Sequence, residues 1–234
     1  MVSEEFCKSV IDSEMRSYPF PHFVVEDALS KSELTGILSD LQYLETYPPT
    51  TEFNSEYGRK REWKNFPSEL DNLNAFLEYL SGEEFIDILK TKFGILGEAE
   101  LFPDLSYDGG GYVISPPGSF LGYHADFNFS SSNNMYRVIN VLVYMNSNYS
   151  EDLGGILHLL DPVSKTVEKV VQPKLGTLLA FFTDDTSIHG VTRNRKNFFR
   201  RSFNLYYYAK VPLSSNQSSV PHKTIWLNFD QHGH

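Results

Sequence analysis

From residue 106 onward the sequence is cut into short runs rich in β-branched and aromatic residues. This pattern constrains the fold more than any other feature. GGGYVISPPG, SFLGYHADF, YRVINVLVYMN, GGILHLL, TVEKVV, GTLLAFF, SIHGVT and RSFNLYYYAK follow one another, separated by clusters of Gly, Pro, Asn and Asp. Seven or eight such runs at this spacing predict antiparallel strands joined by turns, assembled as a sandwich or barrel. The first hundred residues read differently. PHFVVEDAL (21–29) predicts a short strand, and Ser30-Lys31-Ser32-Glu33 has capping-box spacing ahead of a helix over ELTGILSDLQYL. Residues 68–93 predict two helices broken near Gly82, whereas 47–67 is polar, proline-bounded and without periodicity, the pattern of a long loop. The expected class is mainly β with N-terminal helices (α+β). A single domain over 1–234 divides into an N-terminal helical layer with strands (1–105), a β core (106–212) and a polar tail (213–234). The tail carries one apolar clip, Ile225-Trp226-Leu227.

Composition narrows the function. At 41% hydrophobic and 15% aromatic residues the chain has enough apolar material for a substantial core. A net charge of −10 argues against general nucleic-acid binding, which requires a basic stripe. The single cysteine, Cys7, excludes an intrachain disulfide and a thiolate-rich zinc site, and suits a reducing compartment. The first twenty residues carry acids and no continuous apolar run, and no stretch is long and apolar enough to span a membrane. The expectation is a cytoplasmic protein with no membrane partner; the sequons at Asn128, Asn148 and Asn216 then carry no meaning. Oligomeric state is not legible.

Chemistry concentrates in GYHADF (122–127). Residues two apart on a strand share a face, so His124 and Asp126 project side by side. Of the seven histidines, His22 precedes a strand next to proline, and His222, His232 and His234 fall in the tail; all four read as surface residues. His158 reads as an ordinary strand residue. His189, near the end of the strand series, can face His124 across a barrel. Two histidines and one carboxylate form the facial triad of non-haem iron(II) oxygenases, although zinc accepts the same donors. Further on, Arg200-Arg201-Ser202 opens the last long strand, where alternation places Arg200, Ser202, Asn204 and Tyr206 on one face. A guanidinium inside a barrel is costly unless it meets a carboxylate, which it grips bidentately.

Taken in order, His124-x-Asp126, Tyr144-Met145-Asn146, Gly154-Gly155, His189-Gly190 and Arg200-x-Ser202 followed by a tyrosine run resemble the 2-oxoglutarate/Fe(II) dioxygenases of the prolyl 4-hydroxylase type. The resemblance covers roughly 107–209. It implies a double-stranded β-helix (jelly-roll, cupin-like) core in which His124, Asp126 and His189 bind Fe(II). It also implies that Arg200 grips the distal carboxylate of 2-oxoglutarate with Ser202 and Tyr144 as hydroxyl partners. Tyr112 is a further candidate for that contact, although reaching it requires a gap in the correspondence. The cofactors implied are Fe(II), 2-oxoglutarate as co-substrate and O2, with ascorbate as an accessory reductant. The activity implied is hydroxylation of an unactivated C–H bond with release of succinate and CO2. A prolyl residue of a peptide or protein is one expected substrate, and a small molecule another. Related halogenases lack the carboxylate, so Asp126 points to hydroxylation. The rivals are a cupin-type isomerase or epimerase, which needs no Arg200-x-Ser202, and a non-enzymatic binding module, which would not need every ligand. Substrate choice is expected in 47–67 and in 127–136, the latter as a mobile lid.

Overall fold

Local sequence sets the helices first. In the computed structural model, which describes residues 2–97 and 99–227, Ser30 caps α2 (Lys31–Leu44; α1 is Glu4–Asp12) in a reciprocal capping box with Glu33. Helix α3 (Asp71–Ser81) buries Leu73, Phe76, Leu77 and Leu80, one helical face, and α4 (Glu83–Lys92) buries Phe85, Ile88 and Leu89. Gly82, in extended conformation, ends one and opens the other. The first strand, β1 (His22–Val25), precedes α2. The stretch expected as a long loop is instead a hairpin of β2 (Thr51–Ser55) and β3 (Gly58–Trp63), turning at Glu56 and Tyr57. β2 is almost wholly exposed, so no alternation of apolar residues marked it. Backbone pairing and the contacts of Trp63 hold it instead.

The remaining strands are β4 (Phe102–Pro103), β5 (Gly111–Ser115), β6 (Leu121–Ala125), β7 (Phe129–Ser130), β8 (Met135–Tyr144), β9 (Leu157–Leu160), β10 (Val167–Val171), β11 (Leu178–Phe182), β12 (His189–Val191), β13 (Arg200–Ala209) and β14 (Ile225–Trp226). Every pairing is antiparallel, in the order β1-β11-β8-β13-β5-β3-β6-β12-β9-β10. The long β8–β13 ladder forms the spine, and the path bends at β3–β6, which share one pair, Gly58 and Leu121.

Alternation then separates two cores. Val141 and Val143 of β8 and Phe203, Leu205 and Tyr207 of β13 face the helices and pack with Phe6, Phe76 and Phe85. Leu142 and Tyr144 of β8 turn the other way, into a cluster with Leu157 and Leu159 of β9, Leu179 and Phe181 of β11, and Val171. This second cluster fills the inside of the jelly roll, as expected from the sequence. The segment 127–136 is a short hairpin in which Phe129 pairs with Tyr136. One expectation changes. His22 is fully buried, its Nδ1 2.8 Å from the Phe20 carbonyl oxygen, because it pairs with Phe181 in the sheet. His222 is half-buried against Asp185, while His232 and His234 lie outside the described residues. Among the described residues, no helix is long and apolar enough to cross a membrane.

Candidate metal centre and co-substrate pocket

β6 and β12 bring the triad together by register. His124 and His189 are direct partners across the ladder, and Asp126 follows at the end of β6. His124 Nε2 is 3.3 Å from Asp126 Oδ1, His189 Nε2 is 3.7 Å from Oδ2, and one ligand atom from each lies within 4.8 Å of the others. Each ring is aimed the same way. His124 Nδ1 contacts the Gly122 carbonyl at 2.8 Å and His189 Nδ1 that of Ser187 at 2.9 Å. Donation from Nδ1 fixes the tautomer and leaves both Nε2 lone pairs facing Asp126. Burial, then the neighbouring His124, holds the His189 pKa down at about 4, so the imidazole is a neutral donor near neutrality. Three convergent N and O donors on one side, without thiolates, fit a facially bound divalent ion such as Fe(II). Among the described residues no other such cluster of His, Cys, Asp or Glu occurs.

Asp126 is held by two residues that the sequence reading missed. Asn140 Nδ2 donates to Oδ2 at 2.6 Å, and Arg137 Nη1 lies 3.2 Å from the same oxygen. Burial alone would raise the Asp126 carboxyl; the Arg137 guanidinium, then His189 and His124, reverse that and hold it well below the usual carboxylate range. Arg137 is itself buried between rings, 3.5 Å from the Tyr206 centroid and 3.9 Å from that of Phe127. Asn140 shares the inward phase of Leu142 and Tyr144 and could have been found by alternation. Arg137 could not, because the register shifts opposite Tyr207 and Tyr208 and changes the phase of β8. Its one signal was a charge inside an apolar strand.

The second half of the pocket lies along the inner face of β13. Arg200 is 4% exposed, with Nε donating to the Gly155 carbonyl at 3.0 Å and Nη1 to Ser202 Oγ at 3.4 Å. Ser202 passes its own proton to Asn204 Oδ1 at 2.8 Å. Tyr144 lies under the guanidinium, its ring centroid 4.9 Å from Cζ. Arg200 Nη2 and Tyr144 Oη are both buried without a hydrogen-bond partner, and among the described residues no carboxylate pairs with Arg200. A buried cation beside an unpaired hydroxyl is a site built for an anion. A dicarboxylate such as 2-oxoglutarate fits that chemistry.

Tyr112 is not part of it. It pairs with Phe203, on the helix-facing side of the sheet, and its hydroxyl donates to Glu45 Oε1 at 2.7 Å. Glu45 is also gripped by Arg201, Nε to Oε1 at 2.8 Å and Nη2 to Oε2 at 2.9 Å. Phase explains the correction: Tyr112 belongs with Arg201 and Phe203, and Arg200 with Ser202. His158 is excluded likewise, since its backbone partner is Gly190 rather than His189 and its Nδ1 meets the Tyr123 hydroxyl at 2.8 Å.

Comparison with known proteins agrees with this fold. A family profile described as the 2OG-Fe(II) oxygenase superfamily matches residues 110–208. No curated protein is significantly similar to the chain. Among solved structures, a Pseudomonas putida prolyl-4-hydroxylase aligns with TM-score 0.57 at 18% identity, over 80% of this chain and 91% of that one. A Trichoplax adhaerens prolyl hydroxylase in complex with a hypoxia inducible factor peptide fragment aligns with TM-score 0.57 at 19% identity, over 80% and 83%. A Burkholderia pseudomallei oxidoreductase of the 2OG-Fe(II) oxygenase family aligns with TM-score 0.55 at 17% identity, over 94% and 97%. The profile of the 2OG-Fe(II) oxygenase superfamily thus falls on the β core that carries the triad and the Arg200 pocket, and the solved structures share its fold.

Proposed function

We propose that the protein hydroxylates an unactivated C–H bond, with a prolyl residue of a peptide or protein as the substrate class. His124, Asp126 and His189 would hold Fe(II), and Arg200 and Tyr144 the distal carboxylate of 2-oxoglutarate. The observation that carries the reading is the buried, carboxylate-free Arg200 guanidinium facing the unpaired Tyr144 hydroxyl. An isomerase of related fold has no use for that pair. Bound Fe(II), with 2-oxoglutarate and O2, supplies the oxidation that turns C–H into C–OH while 2-oxoglutarate becomes succinate and CO2. The chain's own residues do the rest. Arg137 and Asn140 fix the orientation and ionisation of Asp126, the two Nδ1–carbonyl contacts aim the imidazoles, and the interior cluster around Tyr144 keeps water from the Arg200 pair.

The prolyl part of the proposal rests on likeness in fold to the two prolyl hydroxylases above, one of which holds a peptide. Ascorbate as accessory reductant and a reducing, cytoplasmic setting belong to the same reading, because Fe(II) must stay reduced. The test is succinate formation from 2-oxoglutarate with Fe(II), across prolyl peptides, free amino acids and sugar-linked compounds. A prolyl peptide that stimulates succinate and is recovered heavier by one oxygen supports the proposal. Stimulation by non-peptide compounds alone would remove the prolyl part. A protein that binds neither metal nor 2-oxoglutarate would remove all of it.

A further inference from the structure

The segment 213–227 crosses the barrel beside the triad and ends as β14 on the edge of β6. Ile225 pairs with Ala125 and Trp226 with His124, and Leu227 N–H donates to the Tyr123 carbonyl at 2.9 Å. Directly opposed residues of an antiparallel pair share a face, so the Trp226 indole points where His124 points. Its ring is 4.8 Å from the His124 ring at 37°. Its other neighbour is Tyr57, at the tip of the β2–β3 hairpin, stacked at 4.2 Å and 10°. Tyr57 is fixed in turn, its carbonyl accepting from Gly122 N–H at 3.0 Å. The His124 ring therefore lies between His189, 4.4 Å away, and Trp226.

We infer that Trp226, backed by Tyr57, is a specificity-determining residue: an aromatic wall beside the triad that admits slim C–H-bearing groups and rejects branched or aryl-substituted ones. The inference rests on the triad being the oxygenase's metal centre. Neither segment belongs to the 110–208 stretch that the family profile matches. The wall is held in place rather than loosely laid down. The Asn128 amide donates to the Ser218 and Val220 carbonyls at 2.9 and 3.0 Å and accepts from His222 N–H at 2.8 Å. Gln217 Nε2 donates to the Arg137 carbonyl at 2.6 Å. The anchors lie two residues beyond Asp126 and on the residue that pairs with it, so the wall and the ligands share one frame.

The test needs no substrate. Full-length protein is loaded with Co(II) and saturated with 2-oxoglutarate. Imidazole and 4-phenylimidazole are then titrated in turn, with binding at the metal read from the Co(II) visible spectrum. The wild type should discriminate strongly against the larger probe. Trp226→Ala and Tyr57→Ala should each lower that affinity ratio by about tenfold or more, the scale of steric discrimination in a fitted pocket, and Trp226→Phe should retain most of it. In a Trp63→Phe background Trp226 is the sole tryptophan, and Co(II) should quench its emission. Ratios equal to wild type in both alanine variants would overturn the inference. If Trp226→Ala fails to fold, Tyr57→Ala, which leaves β14 intact, decides. A wild type that takes up no Co(II) shows neither quenching nor a visible spectrum, and that outcome refutes the metal reading itself, and the wall with it.

Discussion

His124 and His189 are opposite one another on β6 and β12, paired Cα to Cα, with ring centroids 4.4 Å apart. The candidate metal centre is thus a consequence of strand register. A slip of one residue would turn one imidazole out of the barrel.

From that register, His124→Ala, Asp126→Ala and His189→Ala should each abolish Fe(II)-dependent succinate formation and Co(II) uptake. His158→Ala should leave both largely intact, because its backbone partner is Gly190 and its ring lies against Tyr123. Equilibrium dialysis with Co(II) checks the assignment. Loss of uptake in the His158 variant with normal uptake in His189→Ala would reverse it.

Arg200 and Arg201 are adjacent, yet their substitutions should fail differently. Arg200→Ala removes the buried cation and should raise the 2-oxoglutarate requirement by orders of magnitude, with little cost in stability. Arg201→Ala leaves Glu45, half-buried and shared with Tyr112, without its cation. It should lower stability by about 1–3 kcal/mol, within the range for losing a partly buried charged hydrogen bond, and leave the 2-oxoglutarate titration nearly unchanged. Parallel titrations and denaturant curves distinguish the two; equal 2-oxoglutarate requirements would sink the placement.

Much of this site was legible because it obeys alternation. His124 with Asp126, and Arg200 with Ser202, are two-residue spacings on strands, and the core strands announced themselves by β-branched and aromatic runs. Several of the misreadings depend on partners far away in sequence. Tyr112 carried the right chemistry on the wrong face, a phase set by its pairing with Phe203. Arg137 was hidden by a register shift, and β2 by having nothing to bury. His22 looked exposed beside its prolines, but β11 covers it. Trp226 lies in a polar stretch whose only signal was three apolar letters; its place against His124 depends on β6 leaving an edge open.

Arg137 and Asp126 form a buried ion pair, and such pairs are costly to break from one side. Arg137→Leu should destabilise the metal-free protein by about 3–5 kcal/mol, because it leaves a buried carboxylate without its cation. Adding Asp126→Asn to that variant should recover part of the loss, since the stranded charge is then gone. Denaturant unfolding of the two single variants and the double variant measures the coupling. Strict additivity would mean that the pair is not coupled.

His22 gives the metal-free protein a pH dependence. Burial is the main influence lowering its pKa below the ordinary 6.5, opposed by the Phe20 carbonyl and reinforced by Lys169 and Arg16. Its Nε2 is buried without a partner. With the folded pKa depressed, the unfolded chain binds the proton first as pH falls, so stability present at neutral pH is lost on acidification through 6.5. Tm should fall from about pH 7 to about pH 5, and His22→Gln should flatten that slope even if it lowers Tm at neutral pH. An unchanged slope would mean that His22 contributes nothing to it.

Asn128 should control how firmly the segment 213–227 is held. Its amide makes three hydrogen bonds to that segment, at Ser218, Val220 and His222, and its side chain is buried while Lys223 beyond them is exposed. Asn128→Ala removes all three and leaves two carbonyls and one N–H to find water, at a cost of about 1–3 kcal/mol. The β core has its own pairings and should keep its cooperative unfolding. The loss should therefore fall on local opening of the segment, which exposes the Lys223 bond to trypsin. Cleavage at Lys223 should be faster in Asn128→Ala by about tenfold or more, the factor that 1.4 kcal/mol of local stability sets when opening is rapid. Trypsin digestion followed by mass spectrometry reads the rate at that bond alone. Equal rates in the variant and the wild type would show that β14 and the Trp226–Tyr57 stack, rather than Asn128, hold the segment down.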